Sequence, residues 1–273
     1  TRNMAKYAAR FLDWLERTGN DWSFDADRRR AFLLSVWLHD VGKLVVPLEV
    51  MDKSTRLGPA LERVESRFAA MALLDRIAML EGRLDEEAFS ARTAEREEAL
   101  EFIRKANTAG FMPDENLARV EEIAKRTYTD ENGEVRPWLT ETERVCLTVR
   151  KGTLTAAERG VMESHVTATA RILEQVAFPR QYAQVPEWAA AHHELLNGTG
   201  YPDHRTAGSL PREVRLLTIL DVFDALTARD RPYKPPMPVE KALAILHSMV
   251  REGSLDETIL ALFEESRAWE ETT

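Results

Sequence analysis

The chain has 273 residues, 44% of them hydrophobic, which is enough for a substantial core in one large domain or two small ones. Its 46 acidic and 37 basic residues leave a formal net charge of −9, which argues against broad binding to DNA, RNA or an anionic membrane surface. No apolar run reaches the roughly eighteen residues that span a bilayer, and the single Cys146 excludes an intrachain disulfide and fits a reducing cytoplasm.

In chain order, the first strong signal is the apolar run Ala31-Phe32-Leu33-Leu34-Ser35-Val36-Trp37-Leu38, whose length and flanks predict a buried helix ending on His39-Asp40. Val41-Gly42-Lys43 follows at once. A glycine there lets the chain turn while Lys43 swings a cation back toward the carboxylate. Residues 69–80, 86–106 and 116–128 then predict helices, rich in Ala, Leu, Glu and Arg, with Leu117, Val120, Ile123 and Ala124 at helical spacing. Gly82, Gly110, Pro113 and Asn132-Gly133 punctuate them.

Thr155-Ala156-Ala157-Glu158 is a capping-box signature that opens a helix running to about Leu173, with His165 on its apolar face. The stretch from Trp188 to Leu196 predicts a helix that must stop at Asn197-Gly198-Thr199-Gly200-Tyr201-Pro202, so His192 and His193 fall just before a stiff, glycine-bearing lip. Leu216 to Leu226 is strongly apolar around Asp221, and an unpaired carboxylate would be costly there. Arg231 and Lys234 follow among several prolines.

His39, Asp40, His165, His192, His193 and Asp221 have the chemistry to hold divalent metal against a phosphate. Neutral imidazole with carboxylate suits Fe, Mn or Zn, and a carboxylate can bridge two metals as imidazole cannot, which makes Asp40 the candidate bridge. Each residue has a plain competitor when taken alone. An isolated His-Asp pair is usually incidental, His165 could be a satisfied core histidine, and Gly198 to Pro202 could be a helix stop with Tyr201 as its apolar anchor. Asp224, three residues after Asp221 on the same helix, suits a role orienting a ligand or cation. His204 and His247 match no pattern.

His39-Asp40-Val41-Gly42-Lys43, His192-His193-Glu194, Gly198-Thr199-Gly200-Tyr201-Pro202, Asp221-Val222-Phe223-Asp224-Ala225-Leu226-Thr227 and Arg231-Pro232-Tyr233-Lys234, in that order, resemble the HD-GYP family, a branch of the HD phosphohydrolases. The resemblance covers 1–57 and resumes from about Arg150. It implies an all-α fold, an HD-type helical bundle with an inserted helical subdomain at 58–149. It also implies two or three divalent metals, iron or manganese, and hydrolysis of cyclic di-GMP to the linear dinucleotide pGpG or to GMP. The implied metal ligands are the six residues above. Lys43 would contact phosphate and act in catalysis with Asp40, while Gly200, Tyr201, Pro202, Arg231 and Lys234 would lie at the substrate.

Two features depart from the family. A further histidine ligand of the first helix would fall immediately before Thr1, so the chain reads as a fragment. Residues 54–150 also intervene where the family runs almost directly on. The insertion reads as a helical decoration packed on the domain, with a dimerisation arm or a lid as sharper alternatives. Three function classes follow: a cytoplasmic cyclic dinucleotide phosphodiesterase driven by an upstream sensory or receiver segment, an HD-type phosphohydrolase of another nucleotide, or a catalytically weak dinucleotide-binding signalling module.

Overall fold

The computed structural model describes residues 2–22, 24–228 and 237–270. Along the chain these form α1 (Arg2–Thr18), α2 (Ala26–Leu38), α3 (Leu48–Met51), α4 (Ala60–Leu80), α5 (Glu86–Thr108), α6 (Asp114–Ala124), a small hairpin of β1 (Thr127–Thr129) and β2 (Val135–Pro137), α7 (Glu141–Leu147), α8 (Ala156–Glu174), α9 (Val185–Ala190), α10 (Arg212–Thr227), α11 (Val239–Arg251) and α12 (Glu257–Ser266). The fold is all-α apart from that antiparallel hairpin, in which Tyr128 pairs with Arg136. None of the described helices is long and apolar enough to cross a membrane.

Two compact units emerge, one of residues 1–47 with 160–273 and the other of residues 48–159. In the first, α1 presents Met4, Ala8, Phe11, Leu12 and Leu15 at helical spacing to the interior. Helix α10 has no solvent stripe through its middle, since Leu216, Leu217, Ile219, Leu220 and Phe223 are all buried. A helix apolar on every side belongs at the centre, and α1, α9, α11 and α12 all pack on it. Phe223 and Phe11 both meet the Phe263 ring, at 5.2 and 6.3 Å. Asp221 is thereby carried on a central helix held in a rigid apolar frame.

The second unit is built on the antiparallel pair α4 and α5, with Val64, Phe68, Ile103, Val120 and Leu147 in its core. The helix expected over 116–128 ends at Ala124 instead, and Tyr128 lies in β1. β-Branched Thr127 and Thr129 favour extended backbone. The Asp130 carboxylate accepts from the Asn132 and Glu134 amides, closing a turn that Gly133 completes at φ +80°. The Thr155–Glu158 capping box forms in both directions, at 2.8 and 3.2 Å.

Candidate metal centre

Four segments supply the candidate ligands. His39 is the C-cap residue of α2 and Asp40 follows it. His165 sits mid-way along α8, and Asp221 sits on α10. His192 and His193 lie just beyond α9, because that helix stops at Ala190 rather than continuing to Leu196 as expected. The stop comes from the lip itself. The Tyr201 amide donates to the His193 carbonyl at 3.2 Å, and the buried Glu194 carboxylate accepts from the Asp203 and Arg205 amides at 2.7 and 2.8 Å. These bonds take the polar groups of residues 193–205 into a loop that a helix would forbid.

The three most buried histidines share one device. Each donates its Nδ1 proton to the carbonyl three residues earlier: His39 to Val36 at 2.7 Å, His165 to Met162 at 2.6 Å and His192 to Ala189 at 2.6 Å. That bond fixes each ring's orientation, and in His165 and His192 it leaves Nε2 a lone pair aimed inward. His39 Nε2 lies 3.2 Å from Asp40 Oδ2 and 3.6 Å from Asp221 Oδ1. His165 and His192 Nε2 lie 3.5 and 3.8 Å from Asp40 Oδ1, and His193 Nδ1 lies 3.9 Å from Asp221 Oδ2. Asp40 therefore touches every group of the cluster except His193 and Asp221, the position a bridging carboxylate needs.

Burial works against charge here, and the neighbours decide which groups keep it. His39 is pushed down by burial, but the carboxylates of Asp221 and Asp40 outweigh this and raise it to about 9. Burial would push Asp40 up, yet His39 and Lys43 hold it well below the usual carboxylate range. Asp221 is lowered in the same way, chiefly by His39 against its own burial. His192 is lowered to about 3 by burial and then by His39, and His193 to about 3 by burial and then by His192. Burial lowers His165 too. Ionised carboxylates thus stand beside neutral His165, His192 and His193, the protonation states that ligate metal, while the two carboxylates hold His39 protonated when no metal is bound.

Buried atoms without a hydrogen-bond partner include His165 Nε2, His192 Nε2 and Asp40 Oδ1. Such orphans are costly in a protein interior. His165, His192 and His193 can present ligand atoms within 4.8 Å of one another, as can His39, Asp40 and His192. Two overlapping donor sets sharing His192, with their unpaired atoms facing inward, fit divalent cations.

The remaining expected residues fall around this centre. Lys43 Nζ reaches Asp40 Oδ2 at 2.7 Å. Gly42 serves close approach, because a Cβ there would lie 1.9 Å from the His165 carbonyl oxygen of α8. Gly200 is constrained likewise, with a Cβ only 2.5 Å from the His193 carbonyl. The Tyr201 ring stacks on His193 at 4.8 Å, and the Tyr201–Pro202 peptide is cis. Asp224 is half-buried one turn beyond Asp221. Arg231 and Lys234 lie outside the described residues.

Two residues that bear on the site escaped the sequence reading. The buried Thr169 hydroxyl accepts from the Gly42 amide and donates to the His39 carbonyl, both at 3.0 Å. The buried Thr218 hydroxyl reaches the His192 carbonyl at 2.9 Å. Each threonine lies one helical turn from a candidate ligand on its own helix, His165 or Asp221, and fastens the main chain of a ligand from another segment. Their spacing from those residues was the available signal, since positions three or four apart share a helix face.

Residues 142–259 match the HD domain family, a span that includes His165, His192, His193 and Asp221. A 3'3'-cGAMP-specific phosphodiesterase 3 of Vibrio cholerae is 35% identical over 113 residues, 41% of this chain and 24% of that protein. The cyclic di-GMP phosphodiesterase response regulator RpfG of Xanthomonas campestris is 36% identical over 101 residues, 37% of this chain and 26% of that protein. A cyclic di-GMP phosphodiesterase of Thermotoga maritima is 35% identical over 101 residues, 37% of this chain and 27% of that protein. The aligned part spans about a quarter of the length of these curated relatives. The chain carries an HD-GYP-type domain of the HD superfamily.

Proposed function

We propose that this chain is the catalytic part of a metal-dependent phosphodiesterase that hydrolyses cyclic di-GMP to pGpG or GMP. The observation that carries the reading is the set of inward-facing orphan atoms, His165 Nε2, His192 Nε2 and Asp40 Oδ1, gathered beside a second carboxylate. His39, Asp40, His165, His192, His193 and Asp221 would hold two or three divalent cations, with iron or manganese favoured by the mixed imidazole and carboxylate set. Bound cations would supply Lewis acidity toward the phosphate and lower the pKa of water.

The protein's own groups account for the rest. The Nδ1 bonds to Val36, Met162 and Ala189 hold three imidazoles in one orientation before any ligand arrives, so no reorganisation is needed during reaction. Lys43 keeps Asp40 ionised and, being half-exposed, carries positive charge at the rim where a phosphate would enter. Charge that grows on phosphoryl oxygens during attack is stabilised there more than in the ground state. Tyr201 offers a flat face backed by His193 for a nucleobase or ribose, and Gly200 and Pro202 set its position. Arg231 and Lys234 would add positive charge near the substrate.

Residues 1–57 and 150–273 would form this catalytic domain, with 58–149 as a helical insertion. We place the protein in the cytoplasm, where Cys146 stays reduced and an upstream sensory or receiver segment would supply the signal. The cGAMP-specific name of one relative supports a second substrate, 3'3'-cGAMP, in the same site. The test is anaerobic turnover by protein loaded with Fe(II) or Mn(II), offered each dinucleotide separately and together, with products resolved and metal counted. Linear product only from loaded protein supports the reading, and the ratio of kcat/KM values names the substrate. Metal bound without turnover of either dinucleotide would overturn it.

A further inference from the structure

Helix α4 carries two apolar seams with the 4-3 spacing of packed helices. Val64, Phe68 and Met71 form the buried one, which faces the core of the 48–159 unit that α5 shares. Ala70, Leu73, Ile77 and Leu80 form the other, and it is open: Leu73 is 63% exposed, Ile77 47% and Leu80 74%. The seams are offset by two residues, about 200° around the helix, so they lie on opposite faces. Its partner α5 is built differently. Ala99, Ile103 and Ala106 make one buried seam, and the outward positions are charged, among them Glu97, Glu98, Glu101, Arg104 and Lys105. A helix that is apolar on two opposite faces is one that gets covered on both.

The residue types say what covers it. Written as a heptad, Ala70 and Ile77 take position a, and Leu73 and Leu80 take position d. A β-branched residue at a with leucine at d favours two parallel strands over larger assemblies. The flanking charges agree. Arg76 takes position g and Glu81, the α4 C-cap residue, takes e of the next heptad, so a parallel pair sets each Arg76 against the Glu81 of its mate. An antiparallel pair would instead set g beside g and e beside e, taking Glu81, which also holds Arg83 of its own chain just past the helix end, away from Arg76. Hydrophobic pattern and charge therefore select the same self-complementary arrangement, and a two-fold axis repeats it on both sides.

We propose that α4 pairs with α4 of a second copy of this chain as a short parallel coiled coil, making the 48–159 unit a dimerisation arm. Two heptads bury less than a standard interface, so the dimer is weak and concentration-dependent. Sedimentation velocity of the full chain from micromolar upward tests it. The expected result is a monomer–dimer equilibrium that Ile77→Lys abolishes with unchanged helicity by circular dichroism. Glu81→Arg should weaken dimerisation about tenfold, and the double variant Arg76→Glu with Glu81→Arg should restore it. Leu80→Cys should cross-link across the axis under mild oxidation, whereas Glu97→Cys on the charged face of α5 should not. A monomer at every concentration, or a dimer indifferent to Ile77→Lys and to the charge exchange, would overturn the proposal. Failure of Leu80→Cys to cross-link a dimer that Ile77→Lys does abolish would overturn the parallel arrangement.

Discussion

The Thr169 hydroxyl holds the main chain of His39 from one helix away. It donates to the His39 carbonyl and accepts from the amide of Gly42 three residues later, so the turn carrying His39 and Asp40 is tied to the helix carrying His165. A supporting contact of this kind typically changes metal affinity by about 10- to 100-fold when lost. Thr169→Val keeps the shape and removes both hydrogen bonds, and should weaken metal binding by that factor in a chelator competition. Thr169→Ser should recover most of it. Equal affinity in the valine and native proteins would make the bond irrelevant to the site.

Asp40 and Lys43 separate by the same logic. Asp40 lies within 4 Å of three imidazoles and of Lys43, so Asp40→Ala should lose metal loading and turnover together. Among the described residues Lys43 pairs with the Asp40 carboxylate, and Lys43→Ala should keep its metal while losing rate, by about 10²-fold if it stabilises charge on the phosphate. Elemental analysis beside a rate measurement distinguishes the two. Full rate in metal-loaded Lys43→Ala would remove Lys43 from the mechanism.

What could be read in advance was local. The apolar run ending at His39, the Thr155–Glu158 cap and the apolar setting of Asp221 each depend on neighbours within a few residues, and periodicity and capping report such neighbours well. The end of α9 at Ala190 was hidden because its causes lie across the lip, in the Tyr201 amide bound to His193 and the Asp203 and Arg205 amides bound to Glu194. Gly42 looked like a turn residue, whereas its need for glycine comes from the His165 carbonyl, far along the chain. Apart from spacing, nothing in their local sequence marks the roles of Thr169 and Thr218, because the backbone groups they hold belong to other segments. Tyr128 was given to a helix since a two-strand pairing leaves only a short β-branched trace.

Arg56 makes a second, independent prediction about the 48–159 unit. It is fully buried and donates to the carbonyls of Ala106, Ala109 and Val149, at the end of α5 and just past α7. Those carbonyls are the negative ends of helices, which compensates a buried cation where no carboxylate is in contact among the described residues. Arg56→Met leaves them unpaired and should destabilise the unit by about 2–4 kcal/mol in urea unfolding. Arg56→Lys should recover little, since one ammonium cannot reproduce the planar fork. Full rescue by lysine would show that charge alone matters there.

The protonation pattern of the metal-free site sets a bell-shaped stability profile. His39 rises from 6.5 unfolded to about 9 folded, so its stabilisation is complete below pH 6.5 and is lost as pH climbs through 9. His192 and His193 fall from 6.5 to about 3, so the unfolded chain takes up their protons first and stability drains as pH falls from 6.5 toward 3. The melting temperature of chelator-treated protein should therefore peak near pH 6.5 and decline by about 5 °C or more on the alkaline side by pH 9. His39→Asn should flatten the alkaline limb and alter the acid one less, because only His39 carries a raised value among these histidines and burial, ahead of His39, is what lowers His192 and His193. A native profile flat from pH 6.5 to 9 would mean that His39 is not held protonated by Asp40 and Asp221, and that a metal entering the site need not displace its proton.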